Sequence, residues 1–364
     1  MKNDSIEFSR ISPFLNVAGF IIVITGIMYA SALINPLLLA LFISIICAQP
    51  LAWLERRNVS HGLAIAIVLS GALLIFFGLG QLILESVYQF SNDVPKYSAR
   101  LEEISASIVA GLQKLGFDTS TWNFNSIIDT SKIMGFIAGL ASGFGSMMGN
   151  VFLIIFIVVF LLLELNSFAV KTIAIVDDPA KSLQYLTKIG SSIRHYLGIK
   201  TLVSLLTGVL IWLSLLIIGV DYAIMWGIMA FLLNFIPNIG SIIAGLPALI
   251  FALVQLGVGG AIWTAIAYIS VNMIVGNIVE PKVMGKGMGL STLVVFLSLI
   301  FWGFILGTVG MFLSVPLTMT VKIILEQSEK TKWIAILLGT QQEAQVIIER
   351  NKYKKAFEDE EVYL

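Results

Sequence analysis

Between Tyr222 and Glu326 the chain is apolar enough to lie in a bilayer, yet it is broken three times. The breaks are Pro237-Asn238-Ile239-Gly240-Ser241, then Glu280-Pro281-Lys282 running into Gly285-Lys286-Gly287-Met288-Gly289, then Gly307-Thr308-Val309-Gly310. Backbone groups freed at membrane depth are tolerated only where they face protein or a water-filled cavity. A helix that merely anchors has no use for such breaks, whereas discontinuous segments are how secondary transporters build a site near the midplane. The pattern therefore predicts a solute pathway.

The rest of the chain agrees. Of 364 residues, 58% are apolar and 12% charged, about half the charge content of a soluble domain. The expectation is an all-α polytopic membrane protein. Apolar runs near the length a spanning helix needs fall at 14–34, 36–54, 62–84, 135–163 and 201–219. The broken region adds 222–236 with 241–256, a full span at 259–280, and 290–306 with 310–326, giving about eight transmembrane elements. The first run is longer than a signal-peptide core and is read as a retained helix. The pairs 222–256 and 290–326 are either two short crossings each or re-entrant hairpins. As hairpins, they would bring the tips Pro237 to Ser241 and Gly307 to Gly310 toward each other from opposite sides.

Lys/Arg asymmetry gives the orientation. With the N-terminus inside, the outer segments carry only Lys96, Arg100, Lys114 and Lys132, all in 85–134. Lys322 lies in the last helix, and every other one of the 22 Lys/Arg falls on the inner side. Both termini are expected in the cytoplasm, with 327–364 as a cytoplasmic tail.

Two polar segments read as amphipathic helices. In 85–134, Leu101, Ile104, Ile108, Leu112 and Leu115 recur at helical spacing, with Pro95 near the start. In 164–200, Asp177-Asp178-Pro179 is a helix-start signal, and Leu183, Leu186, Ile189, Ile193 and Leu197 share one face. Such helices lie on the membrane surface or pack on a neighbouring subunit. Gly135, Gly139, Gly143, Gly145 and Gly149 suit close helix packing. Arg194, His195 and Lys200 form a basic patch that the positive-inside bias explains without a ligand.

The candidate site comes from the 259–280 span. Thr264, Tyr268, Asn272, Gly276 and Glu280 follow one another at four-residue steps, and Asn277 shares that surface. An ionisable group in a membrane segment is a functional candidate by default, although Glu280 with Lys282 also reads as an interfacial anchor. Asn272 and Asn277 suit the lining of a polar route. Asn234 and Asn238 bracket Pro237, which frees a carbonyl one turn earlier. With Gly240 and Ser241 they offer carbonyls and amides to a small hydroxylated solute or an alkali cation. Pro281, Gly285, Gly307 and Gly310 are candidate hinges.

Absences narrow the class. There is no G-x-x-x-x-G-K-[ST] phosphate loop for an ATP-driven pump. No H-E-x-x-H or cysteine cluster suggests a metal site, and Cys47 is a lone cysteine in an apolar run. No cofactor, catalytic residue or nucleic-acid partner is expected. A carrier that is uncoupled, or driven by an ion gradient, survives.

The run Pro237-Asn238-Ile239-Gly240-Ser241, followed by Gly276-Asn277-Ile278-Val279-Glu280-Pro281-Lys282-Val283-Met284-Gly285, resembles the signature of the AI-2E family of transporters. Gly289-Leu290-Ser291-Thr292-Leu293, Phe301-Trp302-Gly303, Gly310-Met311 and Ser314-Val315-Pro316-Leu317 extend the resemblance. It spans essentially the whole chain, with the specific part in the C-terminal half. It implies a bacterial inner-membrane protein that exports the quorum-sensing signal autoinducer-2, influences biofilm formation and assembles as an oligomer, a homopentamer in the nearest branch. Some relatives are credited with sodium/proton antiport, so the resemblance alone leaves a cation/proton antiporter titrating Glu280 as the alternative.

Overall fold

The computed structural model describes residues 13–114, 150–164, 179–237, 239–284 and 289–350, with Ser167, Lys171, Ile173 and Ala174. Among these the ordered elements are helical. In chain order they are α1 (Pro13–Tyr29), α2 (Ser31–Glu55), α3 (His61–Lys114), α4 (Asn150–Glu164), α5 (Pro179–Ile218), α6 (Ala223–Leu233) and α7 (Gly240–Ile274). A π-helical turn, Val275–Val279, leads into α8 (Glu280–Met284). Then come α9 (Thr292–Leu325), α10 (Lys332–Leu338) and α11 (341–350). Five stretches are long and apolar enough to cross a membrane: Ser31–Glu55, His61–Asp93, Leu186–Ile218, Gly240–Met284 and Thr292–Leu325. The chain is an integral membrane protein.

Two of those stretches fold back on themselves. Gly257 (φ 76°, ψ −166°) interrupts α7 and Gly307 (φ 64°, ψ −145°) interrupts α9. A positive φ of this kind is open to glycine and strained for any side chain. Across the Gly307 bend, the Trp302 Nε1–H donates to Thr318 Oγ1 at 2.9 Å. In a straight helix those residues would be about 24 Å apart. Across the Gly257 bend, a Cβ on Gly245 would meet the Tyr268 ring at 3.0 Å. The expected pair 222–256 is likewise antiparallel, with Trp226 of α6 against Phe251 of α7, ring centroids 5.8 Å apart. Phe235, beside the first tip, and Phe312, beyond the second, are 6.4 Å apart.

The two amphipathic segments differ from expectation. The run 62–84 continues through residue 114 as one α3, and the 179–200 part of the second segment continues through 218 as one α5. Pro95 sits inside α3 without ending it. The carbonyl it leaves unpaired belongs to Ser91, near the end of the apolar stretch His61–Asp93, where water can satisfy it. On α5, Ile193 and Leu197 are buried against Leu313, Val315 and Met319 of α9 and Phe42 of α2. That end of the face is covered by the chain itself, whereas Leu186 is exposed and the side chain of Leu183 lies outside the described residues. The side chains of Leu101, Ile104 and Ile108, and the glycines between 135 and 149, lie outside the described residues.

Three clusters form the interior. Ala40, Cys47 and Leu51 of α2 pack with Ala64 and Ile65 of α3 and Val158 and Leu162 of α4. Ile211 and Leu215 of α5 pack with Trp226 of α6 and Ala248, Phe251 and Val271 of α7. The α5–α6 contact is close because Gly208 and Gly227 face each other: a Cβ on Gly208 would stand 2.7 Å from the Gly227 carbonyl oxygen. Small residues allow such approach without a large apolar side chain between the axes. The third cluster, α5 on α9, closes one end of the site described next.

Candidate functional site

A cavity of about 860 Å³ lies between α5, the Pro237 turn, both arms of α7, the π-turn and the start of α9. Sites for small ligands commonly measure about 300–1,000 Å³. Asn234, Pro237, Ser241, Tyr268, Asn272, Asn277, Glu280 and Pro281 all line it, with apolar Ile242, Leu246, Leu249, Ile269 and Met273 between them. Eight of the residues singled out in the sequence, drawn from positions 234 to 281, thus share one wall system. Gly240 is buried in the turn beside it: a Cβ there would stand 1.8 Å from the Leu233 carbonyl oxygen. Gly307 and Gly310 lie at the α9 bend and are not part of the lining. Asn238 and Gly285 lie outside the described residues.

The π-turn explains why the polar stripe stays on the cavity. In an ideal α-helix each four-residue step drifts by about 40°, so three steps from Tyr268 to Glu280 would drift about 120°. A π-turn holds more residues per turn and takes back part of that rotation. Tyr268, Asn272, Gly276 and Glu280 therefore all reach the cavity, while Thr264, one step earlier, is fully buried away from it.

Hydrogen bonding along the wall is incomplete. Asn234 Nδ2 donates to Ser204 Oγ at 3.0 Å, and Asn272 Nδ2 donates to the Tyr268 carbonyl at 2.8 Å. The Tyr268 hydroxyl, in a residue only 6% exposed, has no hydrogen-bond partner among the described residues. Buried polar groups are nearly always paired. The hydroxyl oxygen is itself inaccessible, so it makes no part of the cavity surface.

Glu280 does not pair with Lys282. Its Oε1 accepts from Lys200 Nζ at 2.8 Å, and both residues line the cavity. Lys200 is buried, unlike its exposed neighbours Arg194 and His195, so the basic patch read from the sequence is divided. The signal for this was present: Ile193, Leu197 and Lys200 are successive positions of one helical face, and a cation on a buried stripe must be paired. Tyr196, also buried and lining the cavity, is on the same face.

A second buried lysine lies nearby. Lys322 Nζ donates to the Gly289 carbonyl at 2.5 Å and to Glu343 Oε2 of α11 at 2.5 Å, with Glu326 Oε1 at 3.7 Å. Ser291 N–H donates to the Leu338 carbonyl at 3.1 Å. These bonds fasten the tail helices to the residues that lead from α8 into α9. A smaller pocket of about 210 Å³ adjoins this network.

At the far end of the α6–α7 hairpin a third polar group ties it to α3. The Tyr97 hydroxyl donates to Asp221 Oδ2 at 2.7 Å and the Tyr222 hydroxyl to Asp93 Oδ2 at 2.5 Å. Gln255 Oε1 accepts from the Asp221 N–H, and its Nε2 donates to the Gly219 carbonyl. Burial, then the bond to Asp93, pushes the Tyr222 hydroxyl up to about 12. Burial and the bond to Asp221 raise Tyr97 further.

Among the described residues no group of three or more His, Cys, Asp or Glu is placed to hold a metal ion. What the fold and cavity define is a helical membrane protein with broken helices around a largely apolar chamber that carries a few polar groups. The sequence places it within that class: a model of the AI-2E family of transporters matches residues 17–330, and the chain belongs to that family. It is 42% identical over 331 residues to a protein of Haemophilus influenzae whose name says transport and no substrate, covering 89% of this chain and 95% of the relative. It is 37% identical to YhhT of Escherichia coli K12, again named only for transport, over 89% of this chain and 93% of the relative. It is 36% identical to TqsA of the same strain, named an AI-2 transport protein, over 93% of this chain and 98% of the relative.

Proposed function

We propose that this protein exports autoinducer-2, or a small polar solute of the same kind, across the bacterial inner membrane through the cavity between α5, α7 and α9. The carrying observation is the wall itself: Asn234, Asn272, Asn277 and Ser241 line one chamber of ligand size. Such groups suit a compact molecule rich in hydroxyls and carbonyls. The name of TqsA supports the choice of solute, and the Lys/Arg asymmetry supports cytoplasmic termini. In this reading Asn238 completes the solute contacts, the Pro237 turn and Pro281 hinge the inner wall, and Gly285, Gly307 and Gly310 are flexing points. Assembly as an oligomer, a pentamer by the family resemblance, belongs to the same proposal, as does a link to quorum sensing and biofilm formation.

Cation/proton antiport would use Glu280 as the titrating group, and that carboxylate is tied to Lys200, so no observation here favours antiport. The test is release of autoinducer-2 from loaded proteoliposomes containing the purified full-length chain. Protein-dependent release is expected, and release no faster than from protein-free vesicles would refute the reading.

A further inference from the structure

The lining of the cavity contains one cation and one anion, Lys200 and Glu280, and they are bonded to each other at 2.8 Å. An ammonium has three hydrogens to donate and a carboxylate two oxygens to accept with. Here one donor and one acceptor are used, and among the described residues the structure gives neither group another side-chain partner. Both residues line a chamber whose other polar side chains, Asn234, Ser241, Asn272, Asn277 and Thr292 with Tyr196 and Tyr268, are uncharged.

We propose, resting on the export reading above, that the Lys200–Glu280 pair is a charge filter that admits neutral polyhydroxylated solutes and rejects anions. A neutral diol serves both partners at once: one hydroxyl oxygen accepts from the Lys200 ammonium, and one O–H donates to the Glu280 carboxylate. The pair stays intact and no charge is left alone. An anion either takes Lys200 from Glu280 and leaves a carboxylate unpaired, or accepts from the spare Lys200 hydrogens and sits as a second negative charge beside Glu280 with one cation between them. Both outcomes are costly where water is scarce. A cation meets the mirror-image penalty at Lys200.

The filter bears on the form of the solute. Vicinal diols combine reversibly with borate to give anionic esters, and autoinducer-2 is a molecule with both a boron-free and a borate form. The filter selects the boron-free form.

The experiment uses the full-length chain in proteoliposomes loaded with autoinducer-2, in borate-free buffer and in buffer with saturating borate on both sides. Wild type is expected to release the boron-free form at least about tenfold faster than the ester, a difference of about 1.4 kcal/mol. Glu280→Gln, which keeps the shape and leaves Lys200 unopposed, is expected to shift that ratio toward the anionic ester by about tenfold or more. Lys200→Met is expected to shift it the other way. Size-exclusion profiles matching wild type show that each variant is folded, and a variant that fails this check is replaced by Lys200→Gln or Glu280→Met. Equal release of both forms by wild type, or a ratio that neither variant moves, overturns the filter while leaving export standing. No protein-dependent release of either form overturns the export reading and the filter with it.

Discussion

Lys200 and Lys322 are both buried lysines in apolar helices, and the contrast between them separates what holds this protein together from what it works with. Lys322 is met by a backbone carbonyl and two carboxylates from three different segments, beside a small pocket of about 210 Å³. Lys200 has a single carboxylate partner and faces a chamber of about 860 Å³. Removing a charge from water is tolerable only when its hydrogens are satisfied. The lysine with more partners, two hydrogen bonds and a second carboxylate at 3.7 Å, is a clamp between the core and the tail, and the one with a single bond is placed to meet a solute.

The difference can be tested from its strongest side downward. Lys322→Met should cost about 3 kcal/mol of stability, the low end for breaking a buried pair because Glu343 is partly exposed. The expected signs are a lowered melting temperature in detergent and tail helices that proteases cut more readily. If melting and cleavage match wild type, Lys322 is not a clamp. Lys200→Met should lower autoinducer-2 release by about tenfold or more, and because it strands Glu280, which is less exposed than Glu343, its loss of melting temperature should be at least that of Lys322→Met. Wild-type release from folded Lys200→Met, or an equal loss of release from folded Lys322→Met, would exchange the two roles.

Tyr268→Phe sharpens the contrast at a neutral group. Its hydroxyl has no partner to lose, so stability should hold or rise slightly, an unpaired buried polar group costing about 1–3 kcal/mol. Release should change little, because the hydroxyl oxygen is inaccessible from the cavity. A clear loss of stability would mean that the hydroxyl is bonded within the fold. The smallest expected effect lies at the Tyr97 and Tyr222 bonds. Both hydroxyls titrate above the ordinary tyrosine value of 10.0, so the folded state holds these protons more tightly than the unfolded chain. Their contribution is complete below pH 10 and declines as pH rises from there through about 12 for Tyr222. Melting temperatures recorded across that window should fall less steeply in Tyr222→Phe than in wild type.

Much of this was legible in the sequence, and the exceptions share a cause. The stripe Tyr268, Asn272, Glu280 and the Pro237 turn could be read because helical spacing and proline chemistry are local. The bends at Gly257 and Gly307 fall where the apolar runs were divided, since glycine marks them. The partner of Glu280 was not legible, because Lys200 is 80 residues away and a positive-inside count treats every lysine near a boundary alike. The π-turn was missed for a different reason: Val275 to Val279 contains no residue that signals it. Only the persistence of the four-residue stripe, which an ideal helix would not keep on one face, hinted at it. The Tyr97–Asp221 and Tyr222–Asp93 bonds join residues more than a hundred positions apart, beyond any local pattern.

The central claim is that the cavity is the solute route, and the lone cysteine makes a direct measurement possible. Cys47 is buried against α3 and α4, away from the cavity, so Cys47→Ala gives a thiol-free background. In that background Ser241→Cys places a thiol on the cavity wall and Ile217→Cys places one on an outer surface that is 85% exposed. Proteoliposomes of each are treated with a membrane-permeant maleimide and release of autoinducer-2 is followed. The account predicts that labelling Ser241→Cys reduces release to the protein-free level while labelling Ile217→Cys leaves it unchanged. Full release from completely labelled Ser241→Cys would contradict it.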